Sequence, residues 1–458
     1  MASDVKLPGV MSQAMVALEN RMQMEFSINS ISLRVLKSNT RAVNFYTKLG
    51  YELKEEISLI ESHSHDRSDL IPGTPAVDYF LKMDKFFNLL DSNERVLTAG
   101  PNISELEISY VNNAVTDGWN NHHSDYISKF ESEFAEFVGA KYAMATSSCS
   151  GALHLALLAL GIGPGDEVLV PDITWVATAS AVAYTGAKPI FVDIDLNSWM
   201  LSAVEIEKHV NVNTKAIIPV HLYGYAAPML QISELARKYG LHVVEDAAPA
   251  IGTSIGGKLA GTFGDIGCYS FQGAKLLVTG EGGMLVTDNK DLFERAKKDQ
   301  DHGRKPGTFW IEQIGHKYKM NNVTAALGLG QLQRVENQIF RKREINHRYV
   351  RGLSHLPFIK FQAEIENSES ICWMSSFRLT EASPITRDIL ISELSKRNID
   401  SRPVFPAISQ YRIWGYTAVT PPNSKVVGNS AINLPSGVRL SDNTVDRVIA
   451  NIDQILNL

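Results

Sequence analysis

Short β-branched runs and helical patterns alternate through the middle of the chain. Between about residue 98 and residue 335 the strand candidates are Glu167–Val170, Ile190–Asp193, Ala216–His221, Val243–Asp246, Cys268–Phe271 and Met284–Thr287. Candidate helices, such as Ser150–Leu160 and Leu230–Tyr239, fall between them. This alternation predicts an α/β domain over 98–335, a mostly parallel sheet covered on both faces. Ligands of such sheets bind at the carboxyl ends of the strands. Trp175, His221, Asp246 and Lys275 all fall at predicted strand ends.

The texture changes over 336–458. The pattern predicts a long charged helix near Arg334–Leu353, then strand-like and helical pieces, with a turn-rich stretch, TPPNSKVVGNS, at 420–430. These predict a smaller α+β domain. Residues 1–90 read as a separate piece. A strand is predicted at Ser32–Leu36 and a helix at Asn39–Leu49, opened by a good capping residue. Two more strand candidates, Leu53–Glu61 and Val77–Lys82, flank a polar loop at Ser62–Ser68.

Composition excludes several classes. With 458 residues the chain is long enough for two or three domains. Hydrophobic residues make up 44% and charged residues 21%, ordinary for a globular protein. Net charge is −6 with no basic block, which argues against nucleic acid or an anionic membrane as the main partner. No apolar run approaches the roughly 20 residues that span a bilayer, and MASDVKLPGVMSQ does not read as a signal peptide. The three cysteines, Cys149, Cys268 and Cys372, are scattered without CxxC spacing. That predicts a reducing cytoplasm and no metal site.

The candidate chemistry gathers around Lys275, in the run SFQGAKLLVTGEGG at 270–283. A lysine at one strand end and a carboxylate, Asp246, at another suit a pyridoxal phosphate enzyme. The amine forms a Schiff base with the cofactor aldehyde, and the aspartate keeps the pyridine nitrogen protonated. Each residue also has a plainer reading. Asp246 could form a salt bridge or cap a turn. Small residues at Ser148-Cys149-Ser150-Gly151, before an Ala/Leu-rich helix, suit an anion at a helix N-terminus or a simple N-cap. Trp175 could stack on a pyridine ring or belong to the core. His221 could orient a substrate group or cap a strand end. Ser270, five residues before Lys275, can reach the same cofactor through its phosphate. GEGG at 280–283 supplies permissive backbone beside the lysine or forms a hairpin turn.

In this order the segments resemble the DegT/DnrJ/EryC1/StrS family of sugar aminotransferases over about 98–458. The resemblance rests on GW at 118–119, FESEFAEFVGAKYA at 130–143, SSCSGALHLALLALGIGPGDEVLVP, VHLYG at 220–224, EDAAPAIG at 245–252 and SFQGAKLLVTGEGG. GHKYKMNNVTAALGLGQL at 315–332 and SRPVF at 401–405 complete it. It implies an aspartate aminotransferase-like fold (type I of the pyridoxal phosphate enzymes) and a homodimer with active sites at the subunit interface. It further implies that Lys275 is the Schiff-base lysine, Asp246 the pyridinium partner and Trp175 the stacking aromatic. By the same resemblance Ser270 and the backbone around Cys149–Ser150 form the phosphate cradle, and Lys317 reaches the phosphate of the neighbouring subunit's cofactor. Arg402 and the loop His302-Gly303-Arg304 are candidates for holding sugar or diphosphate, or are solvated surface. Pro249 departs from the pattern, which has Gln or His there, and SCSG stands where SGTA is commoner.

The implied reaction moves an amino group from glutamate to a nucleotide-linked keto-sugar in surface polysaccharide synthesis. SRPVF, INLP at 432–435 and TGEGG resemble the branch making 4-amino-4,6-dideoxyhexoses, such as the GDP-perosamine synthases. LRVLKSNTRAVNFYTKLGY at 33–51 resembles the second half of a GNAT acetyltransferase, with Asn39 as the CoA contact and Tyr46 as the general acid. KLPGVMSQAM at 6–15 looks like the tail of its pyrophosphate loop, with Met11 where a Gly is expected. The preceding strands are missing, which predicts a remnant or interaction piece without acetyltransferase activity. The competing readings are a bifunctional aminotransferase and N-acyltransferase, and a non-catalytic regulatory protein on the same fold.

Overall fold

Val, Ile, Leu and Ala fill both faces of the central strands, the composition a doubly covered sheet needs. The computed structural model describes residues 30–36, 44, 52–58, 79–86, 95–415 and 419–457. Residues 94–438 with 448–458 form one compact unit, and residues 1–93 with 439–447 form another.

In the first unit, three described strands form an antiparallel sheet of order β1-β3-β2: β1 (Ser30–Leu36), β2 (Glu52–Ser58) and β3 (Tyr79–Phe86). Each overlaps a predicted strand. Of the predicted helix at Asn39–Leu49 only Asn44 is described, and it is helical. Met11, Asn39 and Tyr46, on which the acetyltransferase resemblance turns, lie outside the described residues.

The larger unit is built on seven strands: β4 (Tyr142–Thr146), β5 (Glu167–Pro171), β6 (Lys188–Val192), β7 (Thr214–Ile217), β8 (His242–Asp246), β11 (Ile266–Ser270) and β12 (Gly283–Thr287). Their order is β4-β12-β11-β8-β7-β5-β6. β12 runs antiparallel to both neighbours, and the pairs from β11 through β6 are parallel. This is the predicted α/β architecture. Two-residue strands β9 (Ser254–Ile255) and β10 (Lys258–Leu259) make a small side sheet with β14 (Ser368–Glu369).

Two expectations need correcting. The predicted strand Ala216–His221 stops at Ile217, because Pro219 has no N–H for a ladder. His221 instead precedes a 3-10 turn, Leu222–Gly224, and is tied to β8 by its N–H to the Asp246 carbonyl at 3.1 Å. The turn-rich stretch at 420–430 is largely a helix, Pro422–Ser430.

The remaining strands, β13 (Ile359–Phe361), β15 (Ser376–Leu379), β16 (Arg402–Pro403) and β17 (Ala431–Asn433), form an antiparallel sheet of order β13-β15-β17-β16. It follows the helix Val335–Leu353, which matches the predicted charged helix. Among the described residues no helix is long and apolar enough to cross a membrane.

Candidate active site

The sheet brings residues from four strand ends together. Asp246 closes β8, and Cys268 of β11 lies in register beside it. Ser270 ends β11, and the loop after it carries Lys275. Cys149 and Ser150 begin the helix that follows β4, and Trp175 follows β5.

Asp246 is buried. Its Oδ2 accepts from Thr178 Oγ1 at 2.8 Å and its Oδ1 from the Ala248 N–H at 3.1 Å. Burial pushes its carboxyl above the ordinary value, against those two hydrogen bonds and the nearby Lys275 charge. No Lys, Arg or His forms an ion pair with it among the described residues. A buried carboxylate without a cation is costly, and a protonated pyridine nitrogen is a cation of the right kind. Thr178 gave no signal in the sequence, since it sits in an ordinary Ala-rich helix, Ala177–Tyr184.

Lys275 is half-buried. Desolvation lowers its amine to about 8, with Asp246 and Cys149 pulling the other way. Nζ lies over the Trp373 ring, 3.9 Å from its centroid.

The N-terminus of the helix Cys149–Ala159 shows the N-cap and leaves room for the other predicted reading. Ser148 is the N-cap, its Oγ accepting from the Gly151 N–H at 3.1 Å. The N–H groups of Cys149 and Ser150 are in the first turn, where a helix leaves donors unbonded. Gly283 lets β12 close on this turn, for a Cβ there would lie 2.6 Å from Cys149 N and 2.7 Å from Ser148 C. That close approach gives one glycine of the GEGG run its role. Ser270 is buried, its Oγ accepting weakly from the Gln272 N–H at 3.4 Å.

Trp175 is not a core residue. It is 59% exposed and touches Phe405, with centroids 5.5 Å apart. Its face is therefore open to a flat ring. Pro249 is buried in a turn closed by the Ala250 N–H to the Ala247 carbonyl at 2.9 Å.

His221 is buried with both ring nitrogens engaged. Nδ1 accepts from the Ala227 N–H at 3.1 Å, so Nε2 carries the proton and donates to Glu245 Oε2 at 3.0 Å. No ring nitrogen remains for a substrate. Glu245, which the sequence reading passed over, also accepts from the N–H groups of Gly261, Phe263 and Gly264.

Three predicted cations each lie within ion-pair distance of an aspartate other than Asp246. Lys317 and Arg304 share Asp301, at 3.4 Å and 2.5 Å. They line a surface groove of about 850 Å³ with Phe309, Ile311 and Ile314. Arg402, on β16, is exposed and 3.5 Å from Asp400.

The donor set thus fits pyridoxal phosphate: an amine, a carboxylate lacking a cation, a helix N-terminus and an open aromatic face. Comparison with known proteins agrees. Residues 101–453 match the model of the DegT/DnrJ/EryC1/StrS aminotransferase family. The chain is 40% identical over 355 residues to the GDP-perosamine synthase of Escherichia coli O157:H7, covering 77% of this chain and 96% of that protein. Identity to the GDP-perosamine synthase of Caulobacter vibrioides is 37% over 365 residues, covering 79% and 98%. The PLP form of the putative sugar aminotransferase Spr1654 from Streptococcus pneumoniae superposes with a TM-score of 0.74 at 26% identity, covering 79% of this chain and 99% of that one.

Proposed function

This chain belongs to the DegT/DnrJ/EryC1/StrS aminotransferase family, and on that premise we propose that it is a pyridoxal phosphate-dependent aminotransferase of nucleotide-linked keto-sugars in polysaccharide biosynthesis. The donor in this reading is glutamate and the acceptor a 4-keto-6-deoxyhexose. The observation that carries it is the pairing of a desolvated amine, Lys275, with a buried carboxylate without a cation, Asp246, at adjacent strand ends.

Lys275 Nζ would hold the cofactor covalently. Asp246, steadied by Thr178, would hold the pyridine nitrogen. The first-turn N–H groups of Cys149 and Ser150, with Ser270, would take the phosphate. Trp175 would cover the ring. When bound, the cofactor supplies an electron sink next to the substrate carbon that exchanges its proton. Lys275 does the proton work. An amine brought down to about 8 is close enough to neutrality both to accept a proton at Nζ and to return it. Arg402 and Arg304 are the groups we assign to the acidic diphosphate.

Two copies pair in this reading, and Lys317 reaches the phosphate in the neighbouring copy's site. Supporting this, Phe309 and Ile314 are each 95% exposed beside Lys317, apolar surface that pairing would cover.

The test is incubation of the protein with glutamate and a panel of nucleotide keto-sugars. Wild type should carry the visible absorbance of bound cofactor and form an amino-sugar, and Lys275→Ala should lose both. A Lys275→Ala variant with the wild-type rate would overturn the assignment.

A further inference from the structure

Lys275 is half-buried as a residue but its amine is desolvated, and it lacks the partners such an amine usually has. Among the described residues no carboxylate forms an ion pair with Nζ and no oxygen accepts a hydrogen bond from it. What it meets is the face of Trp373 at 3.9 Å. An ammonium over an indole face is attracted by the ring quadrupole, most strongly when desolvated.

Trp373 is fixed from several sides. Its Nε1–H donates at 2.8 Å to the carbonyl of Ala274, the residue before the lysine. Its ring stacks on Tyr223 at 6.1 Å and 23°, and Tyr223 stacks on Phe405 at 5.4 Å and 24°. Its carbonyl accepts from Lys342 Nζ at 2.7 Å. Lys342 is itself buried, and its ammonium also donates to the Ser436 carbonyl. The backbone on either side of this contact is unusual. Cys372 has φ +52°, and Gly224 has φ +89° and stands where a Cβ would lie 2.6 Å from Trp373 N. A non-glycine residue held at positive φ stores strain, and such strain collects where a side chain must be aimed.

We propose that Trp373 is a positioning residue for Lys275, its indole face holding the ammonium beside the cofactor site whenever the lysine is not bonded to cofactor. This rests on the reading of Lys275 as the covalent lysine. In that reading the lysine would be released from its covalent bond during each turnover. A free lysine has rotamer entropy drawing it away from one pose. The indole attraction opposes that drift. The contact also favours the charged amine, so it opposes part of the lowering that burial imposes.

The experiment uses full-length protein stripped of cofactor. Lysine reactivity toward an acylating reagent is followed across pH by mass spectrometry, with the other lysines as internal controls. Trp373→Leu should raise Lys275 labelling at pH 7 on the order of tenfold, because less of the amine is protonated. Trp373→Phe, which keeps a π face, should fall between. Replacing all tryptophan by 5,6,7-trifluorotryptophan keeps the shape and drains the face, so it tests the same point should the leucine variant misfold. It too should raise labelling at Lys275. Unchanged Lys275 labelling in the folded leucine variant, or in the fluorinated protein, overturns the proposal. Borohydride reduction of the loaded wild type separates the two readings. Cofactor mass fixed on Lys275 upholds the covalent lysine independently of the Trp373 result. Its absence overturns that lysine's role and the positioning role with it.

Discussion

Asp246→Asn keeps the shape of the side chain and removes its charge. The Ala248 N–H can still bond the single amide oxygen and the Thr178 hydroxyl can turn to accept from the amide NH2, so the variant should fold. If the carboxylate holds the pyridine nitrogen protonated, transamination should drop on the order of 10³-fold, roughly 4 kcal/mol of barrier. Steady-state kinetics decides this, and an unimpaired rate would mark the carboxylate as structural. Lys275 adds a prediction in pH. Its amine is lowered from the usual value of 10.5 to about 8, so the reactive neutral form grows as pH rises through 8 and then saturates. The rate of cofactor attachment to the stripped protein should level off above about pH 9, whereas an unperturbed lysine would keep gaining past pH 10. Stopped-flow absorbance reads this directly. At this scale the sequence yielded both groups, because each follows a β-branched run whose end is where ligands bind. Thr178, Trp373 and Lys342 stayed hidden. Each lies in a run that reads as ordinary helix or strand, and each reaches its partner across 31 to 99 residues of chain.

The elements were legible where local pattern alone decides them, as in the strand β8 and the helix Val335–Leu353. They were misread where a distant residue decides. The helix Pro422–Ser430 carries Pro, Asn, Ser and Gly, all turn formers, and Pro421 at its N-cap offers no side-chain acceptor. Its cap comes from the end of another strand. Asp193, just after β6, accepts from the N–H of Asn423 at 3.1 Å, and from the N–H and hydroxyl of Ser424 at 2.9 and 2.7 Å. A carboxylate 230 residues away is invisible to any local window. Asp193→Ala should therefore leave buried first-turn donors unsatisfied, at a cost of about 1–3 kcal/mol. A lowered denaturation midpoint with faster exchange of the Asn423 and Ser424 amides is the expected result. Unchanged exchange there would show that the helix stands on its own propensity.

For the whole molecule, the parallel sheet explains why distant segments meet: strands in one direction put all their carboxyl ends on one edge. It does not explain the segment around 304–317. Phe309, Trp310, Ile311 and Ile314 stand exposed there, next to the Asp301 pair with Arg304 and Lys317. Burying one such side chain contributes about 1.5–3 kcal/mol, so a surface holding four is poorly suited to water and well suited to a second copy. In the proposed dimer this segment delivers Lys317 to the neighbouring phosphate, which links assembly to cofactor retention. The double variant Phe309→Asp with Ile314→Asp should then sediment as a monomer and lose cofactor on gel filtration. Lys317→Ala should remain a dimer, because the apolar cover is intact, yet hold the cofactor more weakly at high ionic strength. A double variant that is monomeric and retains its cofactor like wild type would break the link between pairing and the phosphate. A wild type that is fully active as a monomer would dismiss the dimer itself.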